Sequence, residues 1–95
     1  MKLTDKTFDD YIKDGEKMVI CTAGYCKACE RAIRTLEASS QSIGIVILTD
    51  RDSVNTMTKL NIKKVPTIID YRDGKEQKRA VGTAALFDMT RRGSQ

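Results

Sequence analysis

Histidine and tryptophan are absent from this 95-residue sequence, cysteine occurs three times and proline once. The missing histidines bear first on metal chemistry. Cys21, Cys26 and Cys29 have the C-x4-C-x2-C spacing of some iron–sulfur proteins, yet such a cluster needs a fourth cysteine, and a structural zinc site needs four Cys or His ligands. One chain with this ligand set closes neither site, so no metal and no cofactor is expected. Aromatic residues make up only 5%, too few for a base-stacking platform. The basic residues are scattered, with short pairs at Lys63-Lys64 and Arg91-Arg92 in place of a phosphate-tracking stripe. A formal charge of +4 nevertheless favours acidic partners through long-range steering. No apolar run approaches the ~20 residues that cross a bilayer. The N-terminal stretch mixes Asp with Lys and lacks the apolar centre and cleavage site of a signal peptide. These absences predict a cytoplasmic protein with neither nucleic acid nor membrane as partner.

What is present is an alternation of short apolar runs with amphipathic segments, over a length that admits one small domain, residues 1–95. Thr4 or Asp5 is placed to cap a first helix with Phe8, Tyr11 and Ile12 on one face, and Gly15 to end it. Residues 18–21 are apolar at every position, which predicts a central strand. Cys29, Ala32, Ile33 and Leu36 fall at i, i+3, i+4 and i+7 and predict a helix over about residues 26–38. A second buried strand follows at 43–48, and Asp50 is placed to cap a helix bearing Val54, Met57 and Leu60, which completes a βαβ unit. Residues 65–71 predict a third strand. Asp73-Gly74 is a dipeptide favoured in two-residue hairpin turns and leads to a fourth strand near 76–81. A last helix is expected from Thr83 to about Gly93, with Arg91 and Arg92 suited to its negative end.

The chemistry concentrates in Cys26 and Cys29. A purely structural staple between residues so close removes little chain entropy, because stabilisation by a disulfide grows with the loop it closes. The spacing instead brings two sulfurs together on the first turn of a helix. There the unpaired N–H groups and the positive dipole end favour a thiolate at Cys26, and Lys27 adds charge. Cys26 is therefore the predicted nucleophile. Cys29 continues the buried helix face and is the predicted resolving thiol, close enough to attack a mixed disulfide at Cys26. Cys21, inside an apolar strand, reads as a small hydrophobe.

A C-x-x-C motif beside a βαβ unit is a thioredoxin-like signature, and the order of elements along the whole chain resembles the thioredoxin family. Val65-Pro66-Thr67 is similar to its cis-proline segment, Asp73-Gly74 to its hairpin turn and Gly82 to the glycine that ends its last strand. From residues alone, Pro66 also fits an ordinary strand start. The resemblance implies an α/β fold, a central mixed β-sheet flanked by helices in the order β-α-β-α-β-α-β-β-α. It implies a protein-disulfide reductase whose substrate contacts are Tyr25, Lys27, Ala28, Val65, Pro66 and Gly82, with Pro66 facing the dithiol and the Val65 backbone free to pair with an extended substrate segment. The implied partners are disulfide-containing proteins and a thioredoxin-reductase-like or glutathione-based reducing system, and the implied state is a monomer. The sequence departs from the family at Tyr25, where it usually has Trp, and at Lys27-Ala28, where it usually has Gly-Pro. It departs again at Ile20, where a buried acid is expected as proton acceptor for the resolving cysteine, and in the apolar run from Ile45 to Leu48, where that acid's basic partner is expected. Water or a nearby acid such as Glu30 is left to take that proton. Two other functions fit the same residues: a glutaredoxin-like, glutathione-dependent reductase, and a binding module in which the dithiol is incidental.

Overall fold

The structure is a computed structural model in which residues 2–24, 26–38 and 43–82 are described. Tyr25 and the expected helix from Thr83 to Gly93 lie outside the described residues. In chain order the elements are α1 (Phe8–Ile12), β1 (Glu16–Thr22), α2 (Lys27–Ala38), β2 (Ile43–Ile47), a 3-10 turn (Arg51–Ser53) running into α3 (Val54–Leu60), β3 (Thr67–Arg72) and β4 (Lys75–Val81). The strand at the head of the expected order is represented by a single parallel bridge between Lys2 and Ile45, with the Leu3 N–H donating to the Ile45 carbonyl at 2.7 Å.

The four strands form one sheet in the order β2-β1-β3-β4. β1 and β2 are parallel, joined through α2, while β1–β3 and β3–β4 are antiparallel. The two central strands, β1 and β3, carry the longest buried runs, as expected of strands covered on both faces. One face holds Phe8 and Ile12 of α1, Met57 and Leu60 of α3, and Val19, Cys21, Val46, Ile69 and Tyr71 of the sheet. The other holds Ala32 and Leu36 of α2 against Met18, Ile20, Ile43, Ile68 and Ala80. Adjacent strand residues alternate between the two, as the two-residue period of a strand requires. No helix among the described residues is long and apolar enough to cross a membrane.

Three local expectations are corrected. Neither Thr4 nor Asp5 caps α1, which begins at Phe8 without a side-chain cap. A turn built by the Thr4 N–H donating to Thr7 Oγ1 at 2.9 Å precedes it, and the Asp5 carboxylate is engaged by α3. Asp50 caps the 3-10 turn rather than α3, accepting the Asp52 N–H at 2.9 Å. Val54 is 52% exposed, because the buried stripe of this segment is Ser53, Thr56, Met57 and Leu60. Its polar members have internal partners: Ser53 Oγ donates to the Leu3 carbonyl, and Thr56 Oγ1 donates to Asp5.

Asp73 and Gly74 both have positive φ, 50° and 84°, the conformation a two-residue hairpin turn demands. The Gly74 N–H donates to the Ile12 carbonyl at 2.8 Å and the Asp73 N–H to the Gly15 carbonyl at 3.0 Å. Gly15 returns a bond to Asp73 Oδ1 at 2.8 Å. At β2, a Cβ on Gly44 would lie 2.5 Å from Leu3 Cδ1 and 2.8 Å from Tyr11 Cε2. Glycine there lets the N-terminal segment close over the strand.

Candidate active site

β1 and β2 run parallel and leave the sheet at the same end, where β3 begins and β4 finishes. The register fixes this: Cys21 pairs with Thr67, and Thr67 with Val81. Ala23 and Gly24 carry the chain from β1 toward Cys26, with Gly24 beside Thr49 just beyond β2. Pro66 immediately precedes β3, and its carbonyl accepts the Gly82 N–H at 2.8 Å. Gly82 has φ of +86°, a backbone state that glycine reaches without strain. Of the residues singled out in the sequence, Cys26, Val65, Pro66 and Gly82 are thus carried to one end of the sheet, with Lys27 and Ala28 on the first turn of α2. The Val65–Pro66 peptide is cis, and both residues stand ahead of the third strand, which starts at Thr67 rather than at Val65. Proline has no N–H to offer the ladder, and Thr67 Oγ1 donates to the Lys64 carbonyl at 2.6 Å, closing residues 64–67 into a turn.

Cys26 sits at the cap position of α2. Its carbonyl accepts the Glu30 N–H at 3.1 Å, the first bond of the helix, and its sulfur accepts the Cys29 N–H at 3.1 Å. This is the position at which a serine or aspartate oxygen caps other helices, and here a sulfur takes that place. The unsatisfied N–H groups and positive dipole end of the helix favour negative charge on that sulfur. Cys26 and Cys29 are joined as a disulfide, with Cα atoms 5.1 Å apart. Cys26 is half-buried, Cys29 is fully buried, Lys27 is exposed and Ala28 is half-buried. One cysteine is therefore partly open to solvent while the other is shielded.

Ile20 is fully buried, pairs across the sheet with Ile45 and Ile68, and belongs to the cluster beneath α2. Its surroundings are apolar, as the sequence indicated. Cys21, one residue on, faces the opposite side of the sheet with α1 and α3. Burial pushes its thiol up to about 12, against a small opposing effect of the Arg79 guanidinium. It is a neutral thiol, separated from the dithiol by the sheet itself. The clamp from Thr67 to Lys64 was not anticipated beyond Thr67's place in the proline segment. A threonine three residues after a carbonyl in a turn is the local pattern that signals such a bond.

The thioredoxin family model matches residues 1–91. Thioredoxin of Staphylococcus saprophyticus is 29% identical over 86 residues, covering 86% of this chain and 83% of that protein. Thioredoxin of Staphylococcus aureus is 28% identical over the same length, with the same coverage. Among solved structures, Malassezia sympodialis thioredoxin superposes with a TM-score of 0.76 at 14% identity, over 98% of this chain and 87% of its own. Chlamydomonas reinhardtii thioredoxin f2 gives 0.76 at 17% identity, over 98% and 94%. These two structures share the mixed sheet and flanking helices found here. A match along nearly the whole chain, together with a C-x-x-C pair seated at a helix start, decides the matter: the chain belongs to the thioredoxin family and is a thiol–disulfide oxidoreductase that reduces protein disulfides.

Proposed function

We propose that Cys26 is the attacking thiolate and Cys29 the resolving thiol of a two-step exchange. In the reduced protein the Cys26 thiolate attacks one sulfur of a substrate disulfide. A Cys26–substrate bond forms as the substrate S–S bond breaks, and the second substrate sulfur leaves as a thiolate. Cys29, once deprotonated, attacks the Cys26 sulfur and displaces the first substrate sulfur. The substrate gains two electrons and, on protonation, two protons. The protein is left with the Cys26–Cys29 disulfide that this structure contains. The observation that carries the assignment is the Cys29 N–H donated to the Cys26 sulfur, which gives Cys26 and not Cys29 a hydrogen bond that favours charge.

In this reading the substrate segment lies extended against the Val65 backbone, bounded by Pro66 and Gly82 on one side and by Lys27 and Ala28 on the other, with Tyr25 a further contact that the family resemblance implies. A reducing partner, thioredoxin-reductase-like or glutathione-based, returns the dithiol for the next cycle of electron transfer. The chain acts as a monomer of one thioredoxin-like domain over residues 1–95, in the cytoplasm.

The test is reduction of insulin disulfides with dithiothreitol as the terminal reductant. The wild-type protein is expected to accelerate the reaction and Cys26→Ser to abolish the acceleration. Equal rates with and without the wild-type protein would remove the enzymatic reading and leave a binding module.

A further inference from the structure

Beside Pro66 an open groove of about 370 Å³ runs between the chain leaving α3 and the ends of β3 and β4. Asn61 ends α3 in a left-handed conformation, φ 56°, and the chain after it contributes Lys63 and Lys64 to one wall of the groove. Thr67 and Arg79 contribute to the other. The two walls are tied together, since Arg79 Nη1 donates to the Leu60 carbonyl at 2.8 Å and Thr67 Oγ1 to the Lys64 carbonyl. Arg79 also donates from Nε and Nη2 to the Glu76 carboxylate, at 3.0 and 2.9 Å, which balances its charge. Lys63 and Lys64 differ from it: both are exposed, and among the described residues neither has an ion-pair partner. The groove therefore carries two uncompensated positive charges, with no acidic side chain among its described lining residues.

Lys64 is the residue before Val65. A substrate strand lying against Val65 advances about 3.3 Å per residue, so side chains one to three positions from its contact with Val65 come over Lys64 and Lys63. From this juxtaposition, and resting on the substrate path proposed above, we infer that the protein selects disulfides flanked by acidic side chains, whose carboxylates enter the Lys63–Lys64 groove. The clamped turn holds the lysine backbone in place before substrate arrives, which lowers the ordering cost of the contact.

The test uses three disulfide-bridged peptides that differ only at two adjacent residues beside one cysteine, as Glu-Glu, Gln-Gln or Lys-Lys, with oxidised glutathione as a fourth substrate. At low salt kcat/KM is expected to fall in the order Glu, Gln, Lys, with Glu about fivefold above Gln, the size set by two exposed charge pairs. Raising the salt should erase most of that advantage, a reading that needs only the wild-type protein. The double variant Lys63→Glu, Lys64→Glu is expected to invert the order. Equal rates for the Glu and Gln peptides, or a preference indifferent to salt, would overturn the inference while leaving the reductase intact. A salt-sensitive preference for oxidised glutathione with none for the Glu peptide would also overturn it, by assigning the groove to a small thiol. Failure to reduce any of the four would overturn the underlying function as well.

Discussion

The Cys29 amide is directed at the Cys26 sulfur from 3.1 Å, so that one member of the dithiol caps the helix whose buried face contains the other. Asymmetry between two chemically identical groups follows from their places in a single turn. The cap position is half-open and meets the helix dipole, whereas Cys29, three residues on, points into the protein.

In the reduced, folded protein, iodoacetamide at neutral pH is expected to modify Cys26 at least about tenfold faster than Cys29 or Cys21. Peptide mapping by mass spectrometry reads the order. Faster labelling of Cys29 would reverse the assigned roles.

Cys29→Ser keeps the nucleophile and removes resolution, so it should accumulate a mixed disulfide between Cys26 and a protein substrate. Cys26→Ser should accumulate none. Non-reducing electrophoresis separates the two. Absence of any adduct in both variants, with wild type active, would rule out the two-cysteine exchange.

The apolar surroundings of Ile20 lead to an expectation with two sides. Ile20→Asp puts a carboxylate beneath α2 with no cation opposite it among Ile45 and Ile68. Burial should raise its pKa toward neutrality, where a general base is most effective, and lower stability by roughly 2–4 kcal/mol. Stopped-flow resolution of the mixed disulfide should quicken while the denaturation midpoint drops. An unchanged resolution rate in a folded variant would show that the proton already has another acceptor.

Asp5 should contribute to acid sensitivity, as should Asp50, which the Lys2 ammonium and then the Asp52 N–H hold below its ordinary value. The Thr56 hydroxyl, and then the Thr56 and Asn55 backbone N–H groups, hold the Asp5 pKa below the ordinary 3.8. A depressed carboxylate pKa means that its stabilisation is present above the unfolded value and is lost as pH falls through the folded one. Asp5→Asn should lower stability at pH 7 and flatten the stability profile below about pH 4, as followed by urea unfolding. A parallel profile would exclude Asp5 as an acid-sensitive group.

Alkaline behaviour tests Cys21. Its folded pKa of about 12 stands above the ordinary 9.0. Between those values the unfolded chain has lost a proton that the native protein keeps, and stability falls with rising pH by up to about 1.4 kcal/mol per unit. Cys21→Ala should remove this contribution and slightly reduce that of Tyr71, which is raised above its ordinary 10.0 by burial first, then by Glu76 and by the Cys21 charge. An identical slope in the variant would count against the buried thiol.

The sequence patterns that succeeded were local ones. Residues 18–21 are apolar at each position and all are buried. The Cys29, Ala32, Leu36 spacing gives the buried face of α2, and Asp73-Gly74 forms its turn. The dithiol was legible for the same reason, since its two cysteines lie on one turn. What stayed hidden depends on partners distant in the chain. Thr56 and Ser53 look like solvent residues until Asp5 and the Leu3 carbonyl, some fifty residues away, are brought to them. Hydropathy consequently assigned Val54 to the core in their place. The basic groove escaped notice likewise, because Lys63-Lys64 is an ordinary pair until the fold sets it opposite Arg79 and Val81.

The β3–β4 turn is stitched to the end of α1 by three hydrogen bonds, from Gly74 to Ile12, from Asp73 to Gly15 and from Gly15 to Asp73. They lie at the end of the sheet opposite Cys26. The sheet thus has an anchored end and a working end. The bonds that tie down the far ends of β1 and β3 are separated from the dithiol by the length of the sheet, and none of them has to break for the loops around Cys26 to adjust. Exchange of the hydrogen-bonded seam amides should accordingly proceed at the same rate whether the dithiol is open or closed.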